Sequence, residues 1–385
     1  MELRLQNNIY NNNLDTDKFA HMLDDTTQCY KFYWLEAILN LMPHTEGDMT
    51  FDAILDEMIC NAWYTVTNYH LHLGPVITGC ADNFLERAVR IVEQDPQLPK
   101  PATREQILAA IKRNEASLKS CKKGLIINVP YRLISTFLDL GGGDRLWSST
   151  KKLIAYIEQV NERRVLPYTI IDGTGMEKRI IIDDNWRQLI YDNFPVIISW
   201  IQLKKIRFLQ DRNPGVPGII YKLALEPDNK RKLQNARELW RTASAVGQLP
   251  MQDIYTGAIL EPSGFDLDHF VPWSYVTNDE LWNLIPMDSS LNSSKSNRLP
   301  EWDLYFKLMA KAQYNLYKAI FAYDQVRERF EKCRRDNLNA IWASEQLYIE
   351  GNSQERFCNI LEHNLHPIYE SAKLQGYGIW NLPAH

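Results

Sequence analysis

Apolar residues recur at helical spacing through most of the chain. Between Gln28 and Met42, Phe32, Leu35, Leu39 and Met42 share one face and predict a helix. A second is predicted over Thr50 to Tyr69, which carries Phe51, Ile54, Leu55, Met58, Ile59 and Trp63. Thr103-Arg104-Glu105-Gln106 ahead of Ile107-Leu108 is a capping-box signature that opens a third, to about Lys119, after a loop marked by Pro96, Pro99 and Pro101. Trp147 to Glu162 predicts a fourth. The apolar stripes read as core, and Glu36, Asp52, Asp56 and Glu57 between them read as solvated helix faces.

The period then changes. Tyr168-Thr169-Ile170-Ile171 and Arg179-Ile180-Ile181-Ile182 flank Asp172-Gly173-Thr174-Gly175, a β-hairpin pattern in which Asp-Gly supplies the turn. Trp186 to Leu209 returns to helical spacing, and Arg212-Asn213-Pro214-Gly215-Val216-Pro217-Gly218 breaks it. Further helices are predicted over Lys230 to Val246 and Leu304 to about Arg335, with weaker ones to the C-terminus. Gly141-Gly142-Gly143 lacks the Gly-Lys-Ser/Thr of a phosphate loop and reads as a turn. His70 and His72 lack a third ligand nearby and read as structural.

One stretch departs from this helical background. Phe265 and Leu267 alternate with polar residues like a short strand, Trp282 to Pro286 reads as a second, and Asp288 to Arg298 is polar and capped like a helix start. The stretch holds Asp268-His269, Pro272-Trp273, Asn283, Asn292 and Lys295. Such a set suits hydrolysis of a phosphodiester. A divalent cation offsets charge on the phosphate oxygens, and a neutral imidazole takes a proton from the attacking water. Asp268 supplies a hard anionic oxygen and Asn292 a neutral carbonyl oxygen, as a Mg²⁺-type ion prefers, and His269 is the candidate base.

In order and spacing the segment from about 250 to 305 resembles the HNH endonucleases, whose module is a ββα-metal fold. The separations are similar to those in the HNH domain of the RNA-guided CRISPR effector nucleases. The resemblance implies Asp268 and Asn292 as metal ligands, His269 as general base, Asn283 as the residue that pins the loop and orients the histidine, and Lys295 as a phosphate contact. It implies one Mg²⁺ or Mn²⁺ ion per active site. Many such modules are stapled by zinc on two Cys-x-x-Cys pairs, and this chain has none: Cys29, Cys60, Cys80, Cys121, Cys333 and Cys358 are scattered and none lies in the module. No structural zinc is expected. Packing by Trp273, Tyr275, Leu281, Trp282 and Ile285 must hold the module instead.

Charge adds a candidate partner surface. The chain has a net charge of -5, yet ten basic residues face four acidic ones between Ile201 and Thr242. Lys204, Lys205, Arg207, Lys230, Arg231 and Lys232, with Lys295 and Arg298 of the module, are the expected DNA contacts. At 385 residues the chain can bury a sizeable core, and its 11 Trp and 19 Tyr argue for packed structure. No uninterrupted apolar run of about 18 residues could span a membrane. The Asn-rich start lacks a signal-peptide pattern and the cysteines lack a disulfide pattern, so a cytoplasmic protein is expected.

The expected fold is mainly α with small β elements, an HNH ββα-metal module being embedded between helical segments. Expected divisions are a helical N-terminal domain over 1–165, a hairpin and basic helical segment over 166–245, the nuclease module over 246–305 and a helical cap over 306–385. The expected function is metal-dependent DNA cleavage, as the effector of a bacterial defence or restriction system. A protein partner or activator would act through the N-terminal half, and oligomers are open. Two rivals are a catalytically idle nucleic-acid-binding scaffold and a partner-gated sensor.

Overall fold

A computed structural model of the chain describes residues 3–5, 14–45, 47–76, 82–127, 129–138, 149–161, 166–171, 173–223, 231–247 and 250–382. The fold is mainly α with small β elements, as expected. Asn7 to Asn13, Cys80, Gly141 to Gly143, Trp147, Asp172 and Lys230 lie outside the described residues. The chain divides into two compact units, Met1–Pro214 and Gly215–His385.

The first unit is built on α1 (Tyr30–Leu41), β1 (Met49–Thr50) and α2 (Phe51–Thr67), followed by α3 (Phe84–Glu93), α4 (Arg104–Arg113), α5 (Glu115–Ile126) and α6 (Thr150–Asn161). Strands β2 (Thr169–Ile171) and β3 (Arg179–Ile181) precede α7 (Asp184–Asp192) and α8 (Phe194–Arg212). The capping box at Thr103 is present, its side chain accepting from Gln106 N. The helix it opens ends at Asn114, whose side-chain amide bonds Ala110 O and Asp95, and α5 starts afresh. The pattern over Trp186 to Leu209 likewise divides at Asn193, with Pro195 in the first turn of α8. A helix tolerates Pro there because the missing N–H has no intrahelical partner.

The predicted hairpin pairs antiparallel, Ile170 opposite Ile180, and β1 adds a third strand through Met49 opposite Ile180. Its connection is longer than an Asp-Gly turn. It passes through a 3₁₀ turn at Gly175–Glu177, with Gly175 at φ +58.

Of the four acidic residues of α1 and α2, only Asp52 stays partly exposed. Because these helices are covered on several faces, Glu36, Asp56 and Glu57 are buried and bring their cations with them. Glu36 binds Lys205 at 2.7 Å and Gln202 at 2.6 Å. Lys122, wholly enclosed, reaches Asp52, Asp56 and Glu115 at 2.6 to 2.7 Å. Glu57 pairs with Arg104.

The second unit comprises α9 (Gln234–Gly247), β4 (Asp266–His269), β5 (Leu284–Met287), α10 (Ser289–Lys295), β6 (Leu299–Pro300), α11 (Trp302–Ala322), α12 (Asp324–Asn337), α13 (Gln354–Leu374) and β7 (Ile379–Trp380). The long helix predicted from Leu304 is two helices, because Tyr323 is extended (φ -129, ψ 121). α9 packs on α12 and α11. β7 returns parallel to β6, Leu299 opposite Ile379, so the C-terminal segment closes against the module.

Candidate active site

β4 and β5 form an antiparallel pair with Asp266 opposite Met287, Asp268 opposite Ile285 and His269 opposite Leu284. Asp288 then caps α10, its carboxylate accepting from Ser290 N at 2.9 Å and Leu291 N at 3.2 Å. The result is a hairpin and a helix, ββα. The second strand begins at Leu284 and not Trp282, because Leu281–Asn283 make a 3₁₀ turn. α10 stops at Lys295, where Ser296 takes φ +50, and the Arg298 guanidinium folds back onto the carbonyls of Ser294 and Lys295.

Neighbouring residues in a strand point to opposite faces, and the partners of Asp268 and His269 follow that rule. Asp268 faces α10. Its Oδ1 accepts from Lys295 Nζ at 3.0 Å, and its Oδ2 from the Tyr255 hydroxyl at 3.2 Å. Lys295 also donates to His269 O at 2.8 Å and is 0 % exposed. Burial holds its pKa below the ordinary lysine value even though Asp268 pulls the other way. The expectation that Lys295 is an open phosphate contact is therefore corrected: its ammonium is spent inside, clamping β4 to α10.

His269 is 3 % exposed, and its Nε2 lies 2.9 Å from Asp279 Oδ1. An ionised carboxylate only accepts, so Nε2 carries the proton and Nδ1 keeps the lone pair. Nδ1 has no hydrogen-bond partner among the described residues. Burial lowers the histidine's pKa, and Asp279 opposes this only in part. Asp279 also accepts from Lys232 N at 2.7 Å. Burial thus favours the neutral imidazole, the state a base needs.

Asn283 is wholly buried and bridges the loop after β4. Its Oδ1 accepts from Val271 N at 2.8 Å, its Nδ2 donates to Val271 O at 2.9 Å, and its own carbonyl accepts from Phe270 N at 2.9 Å. These bonds fix the backbone that leaves His269.

The Asn292 side-chain amide donates to Asp266 Oδ2 at 3.3 Å, and its side-chain carbonyl oxygen has no partner among the described residues. Asp266 and Asp268 are two apart in β4 and share a face. A carboxylate offers roughly four lone-pair positions, and the described partners of Asp268 take two. Asp268, the Asn292 carbonyl and Asp266 are thus hard oxygen donors on the α10 side of the hairpin. That set fits a divalent ion that keeps waters and a phosphate oxygen. Lys295 would share Asp268 with it.

The basic stretch divides between the units, with Lys204, Lys205 and Arg207 in the first and Arg231 and Lys232 in the second. Lys205 is corrected as a DNA contact. It is 2 % exposed, bonded to Glu36 and seated over the Tyr33 ring, because α8 turns this position into the core. Lys204 pairs with Asp24 at 2.5 Å. Arg207, Arg231, Lys232 and Arg298 are exposed, and Arg231 lies over the Trp273 ring at 5.3 Å. Arg237, which donates to Phe265 O, and Lys222, which donates to the carbonyls of Ser274 and Tyr275, serve the module's own backbone.

Several site residues escaped sequence reasoning. Asp266 had a signal, since period-two alternation puts it beside Asp268. Asp279 had a weak one, an acid in the loop between base and asparagine. Others had none, because they come from distant helices. Gln313 of α11 donates to Leu281 O at 2.9 Å and Leu284 O at 2.8 Å, and Asn337 of α12 to Asp279 O at 2.7 Å and Lys232 O at 2.8 Å. Glu280 holds Trp282 Nε1 and the Asn339 and Ala340 amides. With the Trp282–Trp342 contact at 5.2 Å and the Tyr275–Tyr377 contact at 5.5 Å, these clamps tie the module to α11, α12 and the C-terminal segment.

Residues 252–301 match the family model of the HNH endonucleases. This segment is an HNH endonuclease domain, a domain type that acts on nucleic acid and generally uses a divalent metal ion. No curated protein and no solved structure matches the chain. Among the described residues no helix is long and apolar enough to cross a membrane.

Proposed function

We propose that the chain is a Mg²⁺- or Mn²⁺-dependent endonuclease that cuts DNA, with His269 as general base and Asp268 and Asn292 as metal ligands. The observation that carries this is the His269–Asp279 pair at 2.9 Å, which leaves the Nδ1 lone pair of a buried imidazole without a partner among the described residues, on the strand that presents Asp268. Bound there, the ion would supply neutralisation of the scissile phosphate's charge. His269 would accept the water's proton at Nδ1, Asp279 would stabilise the imidazolium that forms, and Asn283 would keep the ring in place. Cleavage of the P–O3′ bond would leave a 5′-phosphate. One such site cuts one strand.

Arg207, Arg231, Lys232 and Arg298 are the proposed DNA contacts among the described basic residues. The proposed setting is a cytoplasmic effector of defence or restriction, a helical unit joined to an HNH unit. A plasmid-cleavage assay with Mg²⁺, Mn²⁺ and chelator tests the activity. Nicked or linear product with either ion and none with chelator is expected. Binding without cleavage under every divalent ion would leave the idle scaffold.

A partner-gated form of the same reading has its own support. His269 is 3 % and Lys295 0 % exposed, and Lys232 N pins Asp279, so opening of this loop is the step a partner would drive. Cleavage that needs added cell lysate would favour gating.

A further inference from the structure

We infer a second binding site in the HNH-containing unit, a cavity that takes a small aromatic or otherwise apolar organic anion. The cavity measures about 560 Å³, within the range of small-molecule sites, and lies between α9, the turn at 250–257, Pro286 of β5 and one face of α11. On α11 the lining positions are Leu308, Lys311, Ala312, Asn315 and Leu316, spaced as one helical stripe. The walls are mainly apolar: Ala243, Met251, Ile254 and Leu316 meet Leu308, which stays 46 % exposed at the mouth.

The polar groups free for a ligand lie on α11. Lys311 forms no ion pair, and the Asn315 side chain no hydrogen bond, among the described residues. The one carboxylate in the wall, Asp253, is already spent. It accepts from Tyr255 N at 2.8 Å, Thr256 N at 3.2 Å and Asp288 N at 2.9 Å, so it does not cancel the cation at the mouth. An apolar body with an anionic edge matches these walls.

The cavity also borders the catalytic strand. Tyr255 lines it and gives its hydroxyl to Asp268, and Asp253 holds the amide of Asp288 that caps α10. A ligand resting on Tyr255 therefore bears on a candidate metal ligand through a single side chain. Binding itself does not depend on the nuclease reading.

Calorimetric titration of the full chain with 2-naphthoate and its neutral counterpart 2-naphthalenemethanol tests the site. Saturable one-to-one binding of naphthoate is expected, with the alcohol weaker by about tenfold or more. Lys311→Glu, a surface change that leaves the fold intact, should bring naphthoate down to the level of the alcohol. Ala312→Trp should fill the cavity and abolish both. No saturable naphthoate binding, equal affinity for acid and alcohol, or wild-type affinity in Lys311→Glu would each overturn the inference, whatever becomes of cleavage.

Discussion

Asp279 holds the Nε2 of His269 at 2.9 Å from a loop ten residues further along the chain. That contact decides which ring nitrogen carries the proton. It predicts a pH signature for Asp279→Asn. Burial lowers the pKa of His269 and Asp279 raises it, so removing the carboxylate's charge lowers it further. The rate needs neutral imidazole and fails as pH falls through that pKa, so the acid limb of the pH–rate profile should move to lower pH. The plateau rate should fall as well, because the imidazolium loses its counter-charge. A wild-type acid limb would show that Asp279 serves the fold alone.

His269→Ala should abolish cleavage by about 10²- to 10⁴-fold, with DNA affinity nearly unchanged. Gel-shift and nicking assays on one preparation separate the two. More than about half the wild-type rate at neutral pH would remove His269 from the role.

Asn283→Ala should lower both the melting temperature and the rate. It strands the N–H and C=O of Val271 in a buried loop, at about 1–3 kcal/mol for each unsatisfied group. Thermal unfolding by circular dichroism reads the first effect. Lost activity on an unchanged melting curve would instead point to direct catalysis.

Metal ligation and structural pairing should separate by substitution. Asn292→Ala should lose activity that raised Mn²⁺ partly restores, while His269→Ala should not respond. Asp268→Ala should also destabilise the fold, by roughly 3–5 kcal/mol, since it leaves the enclosed Lys295 ammonium unpaired. Equal melting temperatures for Asp268→Ala and wild type would show that Lys295 is not held as described.

Salt dependence checks the surviving basic residues. Arg231→Gln with Lys232→Gln should flatten the plot of log affinity against log salt by roughly 0.9 for each phosphate no longer neutralised, equally for all sequences. A wild-type slope would leave these residues to the protein surface. Lys205→Met should leave the slope alone and lower stability, because Glu36 would keep a buried charge.

Much of the candidate site's geometry was legible in the residues alone. Asp-His, two asparagines and a lysine at those separations lie within one short hairpin and helix, where local period and capping determine the placement. Asp288 as cap and Asn283 as loop pin needed no distant partner. The helices of the first unit could be read from apolar spacing for the same reason, apart from the breaks at Asn114 and Asn193, which hang on single side chains and backbone angles. What tertiary structure decided was the fate of charge. Lys205, Lys295, Glu36 and Glu57 look in sequence like any solvated residue, and only the helices that close over them turn them into internal pairs. The same holds for Asp279, Gln313 and Asn337. Each acts on the site across a fold-dependent distance, and a linear pattern records which residues share a face but not which faces meet.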